Sequence, residues 1–174
     1  MSEVEQIEEN LKKLKKLGVS ETEIIERCES KILSLKNGEL SYVFIKNIKG
    51  ADVKAHGKAI IESKNLEWNY NFAKDVKGAD KKAHEKVVLE SKESEWNYYF
   101  ARDVKGADVM AHGRVIIESK DSRVNDWFKE DFEDEYKILK ENNFINKAYN
   151  FIDNALDEMI KENNEENKSM QKRS

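Results

Sequence analysis

The three histidines of this 174-residue chain, His56, His84 and His112, recur at a constant offset. Imidazoles at a fixed interval raise two chemistries, a metal centre and acid–base catalysis. Geometry argues against both. Helices stacked as successive units lie ~8 to 10 Å apart, whereas each ligand of a zinc ion sits about 2 Å from the metal. No carboxylate or cysteine recurs beside the histidines at ligand spacing. A catalytic constellation is also singular, so a residue used three times serves the repeat. The row reads as structural, buried or half-buried, with a pH-sensitive packing layer as the alternative.

Other reactive groups are sparse. The single cysteine, Cys28, excludes an internal disulfide and a cysteine-rich metal site; it reads as a small buried hydrophobe in a reducing compartment. The acidic cluster DFEDEY holds Asp131, Glu133, Asp134 and Glu135. Placed mid-helix, it lacks a turn to gather its carboxylates around a cation, and it reads as a solvated face or a contact for a basic partner. There is no glycine-rich phosphate loop, GxSxG elbow, HExxH, EF-hand loop or CxxC pair. No residue is assigned a catalytic, metal-binding or cofactor-binding role, and no cofactor is expected.

Side chains that could meet a partner form columns. Tyr42, Tyr70 and Tyr98 recur at the same offset as the histidines, followed four positions on by Lys46, Lys74 and Arg102 and seven on by Lys49, Lys77 and Lys105. A helical wheel places the tyrosines opposite the phenylalanines of the same helix, outward or in the seam between units. Lys58, Lys86 and Arg114 form a further basic column. These columns are either solvated faces made repetitive by duplication or a surface for an acidic protein or a phosphate backbone. Trp68 and Trp96 fall on the core arc of their helices, as packing or as partly exposed anchors; Trp127 keeps the same face three positions out of register.

The elements that position these groups are repeats. Offsetting the chain by 28 aligns segments beginning at Leu40, Trp68 and Trp96, and the second and third agree at 18 of 28 positions. Each unit reads as two helices. Trp68, Phe72 and Val76 mark the first, Gly78 is the left-handed residue expected to end it, and Asp80 caps the second. Gly50 with Asp52, and Gly106 with Asp108, repeat that punctuation. In the second helix of the first copy, Val53, His56 and Ile60 share a stripe opposite Lys54, Lys58 and Glu62.

A weaker copy precedes the three, capped by Ser20 and Glu23, after a charged helix over 3–17 stopped by Gly18. After them the pattern dissolves into two longer helices, about 122 to 141 and 144 to 163. With 38% charged residues, 39% apolar residues and no proline, the composition suits helices with one apolar stripe. The fold expectation is all-α: a right-handed α-solenoid of short helical hairpins with helical caps at both ends. Its domain is 1–164, comprising an N-terminal cap and degenerate repeat (1–39), three repeats (40–123) and a C-terminal cap (124–164), with a disordered tail at 165–174.

The phrase FAxDVKGADxxAxxxxIIES, at Phe72 to Ser91 and Phe100 to Ser119, resembles a short α-helical repeat of proteins from low-GC Gram-positive bacteria and their phages. Such arrays are similar to HEAT-type solenoids, and the resemblance implies an interaction surface without chemistry. It also implies leucine where this chain has His56, His84 and His112.

The function expected is therefore a non-enzymatic protein-binding repeat module. Its most specific version, resting on the resemblance, is a phage or mobile-element inhibitor of a host defence enzyme that handles nucleic acid, such as an anti-CRISPR protein. The alternative is a nucleic-acid-binding helical repeat. Residues 40–120 carry 15 basic and 12 acidic side chains, a modest excess for a binder that draws its affinity from neutralised phosphates. The acidic start lacks an apolar signal core, and no run approaches the ~18 apolar residues of a membrane span. The chain is thus expected in the cytoplasm, as monomer or homodimer, with no membrane partner.

Overall fold

The computed structural model describes residues 2–171, with side chains described to Lys161, and every regular element among them is helical. The chain divides into two units, Met1–Asp131 and Phe132–Ser174.

In the first unit, helices α4 (Gly38–Asn47), α6 (Leu66–Asp75), α8 (Ser94–Asp103) and α10 (Ser122–Asp131) each have 10 residues and start at equal intervals along the chain. Helices α5 (Val53–Ser63), α7 (Lys81–Ser91) and α9 (Val109–Ser119), of 11 residues each, alternate with them. α4, α6 and α8 each pack against the helix that follows. Like helices also touch along the chain: α4 meets α6, α6 meets α8, α8 meets α10, and α5, α7 and α9 contact in turn. Phe44, Phe72, Phe100 and Phe128, one per unit, are fully buried, as are Ile60, Val88 and Ile116. Each such side chain stabilises the fold by about 1.5–3 kcal/mol, and it does so between helices that no single hairpin supplies.

The degenerate copy before these units has a local irregularity. α1 (Glu3–Lys16) begins with a Ser2–Glu5 capping box, and α2 (Glu21–Ile24) begins at the Ser20 cap. A π-helical turn over Ile25–Glu29 then leads into α3 (Ser30–Ser34). From the Ser20 cap to the left-handed Lys36 is 16 positions, against 12 from Asp52 to Lys64. The wider π turn accommodates part of that excess. Cys28 lies half-buried against the core of this region.

Helix termination departs from expectation. α4, α6 and α8 stop before Ile48, Val76 and Val104, whose backbones are extended and whose side chains are buried. A β-branched residue turned into the core in the strand-like region suits its restricted χ1, so helix α6 ends at Asp75 and Gly78 serves the turn beyond it. Gly50, Gly78 and Gly106 have φ of 93°, 89° and 87°. Asp52, Asp80 and Asp108 cap the following helices, accepting from the amides of Ala55, Ala83 and Ala111.

The C-terminal boundary also differs. α10 stops at Asp131 and α11 (Glu133–Gln171) runs through positions 142 and 143, where a break between two helices was expected. Phe132 occupies the register position of Ile48, Val76 and Val104, and the helix is interrupted there. Asn142 and Asn143, with neither glycine nor proline nearby, supply no comparable stop. Of the tail expected over 165–174, residues 172–174 lie outside the described residues.

Lysine, not glycine, ends the second helix of each hairpin: Lys36, Lys64, Lys92 and Lys120 have φ of 51°, 54°, 59° and 61°. A side chain in this region costs energy that glycine does not incur. Lys64→Gly and Lys92→Gly are each expected to raise the unfolding free energy by about 0.5–1 kcal/mol, seen as a higher urea midpoint at constant slope. A lower midpoint would mean that the lysine side chains contribute more than the strain relieved.

Candidate functional site

His56, His84 and His112 are completely buried on α5, α7 and α9, each beside the phenylalanine of its own hairpin, with ring centroids 5.2, 4.9 and 5.2 Å apart. Asn69 donates from Nδ2 to the carbonyls of Ile60 (3.2 Å) and Asn65 (2.7 Å), which leaves Oδ1 as acceptor for His84 Nδ1–H at 2.8 Å. Asn97 repeats this with Val88, Glu93 and His112. The asparagine thereby sets the tautomer: Nδ1 carries the proton of a neutral ring. In the first hairpin Ser41 replaces asparagine, and neither its Oγ nor His56 Nδ1 has a hydrogen-bond partner.

The other ring nitrogen meets alternating surroundings. Glu29 Oε1 lies 3.4 Å from His56 Nε2, and Glu85 Oε1 lies 3.4 Å from His112 Nε2. The same carboxylates accept from the backbone amides of Asp52 (2.7 Å) and Asp108 (2.5 Å), the caps of α5 and α9. Nε2 of all three rings is buried without a hydrogen-bond partner; beside His84 the register position of Glu29 and Glu85 is Gly57. A cleft of ≈ 630 Å³ opens there, lined by Asp52, Lys54, Gly57, Gly78, Asp80 and His84 among others. Burial lowers the pKa of all three histidines, to about 4 for His84. Glu29 and Glu85 oppose that lowering at His56 and His112 without overcoming it.

The tyrosine column lies in the seam between hairpins, the second of the two placements the helical wheel allows. Tyr70 and Tyr98 are buried and Tyr42 half-buried. Tyr42 Oη donates to Asp75 at 2.6 Å, Tyr70 to Asp103, and Tyr98 to Asp131 at 2.6 Å, always 33 residues ahead. Burial first, and the aspartate second, raise the phenol pKa values. Each ring also meets the next tryptophan: Tyr42 with Trp68 at 5.4 Å, Tyr70 with Trp96 at 5.8 Å, Tyr98 with Trp127 at 5.5 Å. Trp127 makes this contact despite its three-position offset, one turn along the same face.

The first basic column joins these clasps. Lys46 Nζ is 3.5 Å from Asp75, Lys74 Nζ donates to Tyr70 Oη at 2.9 Å, and Arg102 holds Asp103 through two nitrogens at 2.7 and 3.0 Å. Arg102 is the largest influence keeping the Asp103 carboxyl below its ordinary range. The tyrosines and these cations are thus engaged by the protein itself.

Lys58, Lys86 and Arg114 are exposed on the opposite side of α5, α7 and α9. Lys58 and Lys86 lie 3.9 and 3.7 Å from Glu62 and Glu90, loose contacts of little energetic weight. Two surface grooves run beside them. One, of ≈ 350 Å³, is lined by Leu33, Lys36, Ala55, Lys58, Ala59 and Glu62. The other, of ≈ 550 Å³, is lined by Ile61, Lys64, Ala83, Lys86, Val87 and Glu90, with Ser91. Every residue of the first has its register equivalent, one hairpin later, in the second.

The acidic cluster does not sit mid-helix. Asp131 is the last residue of α10, engaged by Tyr98, whereas Glu133, Asp134 and Glu135 form the first turn of α11, where acidic side chains are favoured by the helix dipole. Glu133 pairs with Lys137 at 2.7 Å. Among the described residues, no group of three His, Cys, Asp or Glu side chains gathers to hold a metal ion, and no helix is long and apolar enough to cross a membrane. Sequence reasoning missed Asp75 and Asp103 as tyrosine partners, although their fixed separation from the tyrosines is visible. It also missed Asn69 and Asn97, which share a register position, and the exposed apolar side chains of α11. No family model, curated protein or solved structure matches the chain.

Two measurements test this internal wiring. A histidine with a lowered folded pKa contributes stability that is complete above its unfolded pKa of 6.5 and is lost as pH falls towards its folded value. His84 alone therefore imposes a slope of up to about 1.4 kcal/mol per pH unit between 6.5 and about 4. Urea unfolding at pH 7.5 and 5 should show the loss, and His84→Gln should flatten the slope; an unchanged slope would contradict burial of a neutral ring. Tyr70→Phe is expected to cost about 1.5–3 kcal/mol through loss of its hydrogen bond to the charged Asp103, which Arg102 still holds, whereas a change below about 0.5 kcal/mol would make the clasp incidental.

Proposed function

We propose that the chain is a right-handed α-solenoid of short helical hairpins, with helical caps at its ends, that binds another protein without catalysis or cofactor. What carries this reading is the pair of grooves in equivalent register, one between Lys58 and Lys36, the next between Lys86 and Lys64. Their apolar floors of Ala, Val, Ile and Leu with rims of mixed lysine and glutamate suit a polypeptide presenting both apolar and charged side chains. A regular phosphate backbone would meet Glu62 and Glu90 at every step. The Tyr70 phenol and the Nδ1 atoms of His84 and His112, by contrast, are engaged within the chain.

The most specific form of the proposal follows the resemblance to phage-associated repeats: a cytoplasmic inhibitor of a host defence enzyme that handles nucleic acid, such as an anti-CRISPR protein. The acidic first turn of α11, with Glu133, Asp134 and Glu135, offers such an enzyme a mimic of nucleic-acid charge. The second reading, nucleic-acid binding, is favoured by the exposed Lys58, Lys86 and Arg114 column.

One set of variants separates the readings. Lys58→Glu, Lys86→Glu and Arg114→Glu combined should abolish recovery of a stoichiometric protein from host lysate while leaving thermal unfolding unchanged within about 1 kcal/mol. Wild-type chain that recovers no such protein would sink the proposal. If nucleic acid is the ligand, the wild type retards DNA or RNA at low salt, with affinity falling at a log–log slope of about −3 for three phosphate contacts.

A further inference from the structure

Helix α11 exposes an apolar face whose spacing differs from that of the repeats. Ile138, Ile145, Tyr149, Ile152, Leu156 and Met159 are 48–63% exposed, and Phe144 and Phe151 beside them are each 75% exposed. With Asn142, the first six alternate by steps of four and three over 138–159, a period of 3.5. That is the period of a seam shared by two supercoiled helices; a helix lying on a globular core follows 3.6.

The area is too large for an idle surface. With Ile160, these exposures amount to roughly 1,000 Å² of apolar side chain. The largest apolar patch of an ordinary monomer is about 300–600 Å², and a stable association takes about 800 Å² from each partner. A helix of 39 residues with such a stripe gains most of its stability from what covers the stripe.

The pattern also selects the occupant. Residues 133–161 carry seven acidic and four lysine side chains, a net charge of −3 that disfavours an anionic bilayer. The positions flanking the seam are Glu141, Ala148 and Ala155 on one side and Leu139, Asn146, Asp153 and Ile160 on the other. Only two are charged, so there is neither a charge code for a different helix nor a row of like charges against an identical one. Asn142 is a polar group inside an apolar seam, tolerable only where its carboxamide meets another hydrogen-bonding group at the same level. An identical helix, parallel and in register, supplies one without further design.

We infer that the apolar face of α11 pairs with α11 of a second copy of this chain, as a parallel, in-register coiled coil centred on Ile145–Leu156. The inference is independent of the grooves on α5 and α7: either surface can fail its test without the other. Light scattering on the full-length chain at micromolar concentration should give twice the 20.3 kDa chain mass. Ile145→Asp with Ile152→Asp should raise the dissociation constant by about 100-fold or more, while the repeats keep their cooperative thermal transition. In a Cys28→Ser background, Ile145→Cys should oxidise to a covalent dimer, which parallel register permits and an antiparallel pair does not. A monomeric wild type, a dimer indifferent to the double aspartate variant, or failure of the Ile145→Cys cross-link would overturn the proposal. So would a monomer that binds phosphatidylcholine–phosphatidylglycerol vesicles.

Discussion

The carboxamide of Asn69 joins three segments of chain. Its two N–H groups satisfy the Ile60 carbonyl near the end of α5 and the Asn65 carbonyl at the start of α6, and its oxygen receives the proton of His84 on α7. Carbonyls in the last turn of a helix lack backbone partners within it; Ser63 Oγ of the same helix gives the Ile60 carbonyl one donor, and the Asn69 amide of the next hairpin supplies a second as stacking removes water. Stacking in this protein is thus specified by hydrogen bonds in a low-dielectric interior, where an unmade bond is costly, as well as by the phenylalanine column. The two ends of the array show the same logic running out. Ser41 offers His56 no acceptor, and Asn125 bonds the carbonyls of Ile116 and Asp121 while its oxygen finds no histidine.

Hydrogen bonds committed in this way leave Asn69, Asn97 and the Nδ1 atoms of His84 and His112 unavailable to a ligand. The tyrosines follow the same rule on the other side of the units. Each phenol crosses to an aspartate of the next hairpin, and a cation joins each clasp: Lys46 at Asp75, Lys74 at Tyr70, and Arg102 at both Asp103 and Tyr98. Outside these bonds stand the outer face of α5, α7 and α9, where the lysines are held only loosely, the His84 ring nitrogen beside its cleft, and the apolar face of α11.

Much of the fold was legible because duplication writes the same physical requirement several times. Phe72 and Phe100 announce the core by spacing, and Asp80 and Asp108 announce caps through the chemistry of free amides at a helix start. Termination was less legible: Val76 ends α6 through tertiary burial of a β-branched side chain, which local propensity does not encode, and Gly78 drew attention to the turn beyond. The left-handed lysines leave no local signal at all, since lysine is an ordinary helix former. For the surface columns, a helical wheel placed the tyrosines in one of two settings, and only the packing of successive helices decides between them. The heptad rhythm of α11 begins where the longer rhythm of the hairpins stops, so an offset of 28 does not reveal its stripe.

Glu29, Gly57, Glu85 and Gly113 share one register position, and they divide the hairpins into two kinds. A glutamate accepts from the amide of the next unit's capping aspartate and stands 3.4 Å from its histidine Nε2; a glycine leaves a cleft at that place. The backbone repeats at every hairpin, but the chemistry repeats only at every second one. Units of this array are therefore not interchangeable parts. Excising one hairpin would join two of the same kind, whereas excising an adjacent pair would restore the original alternation, so the smallest module that can be lost or gained without changing the interior is a pair of hairpins.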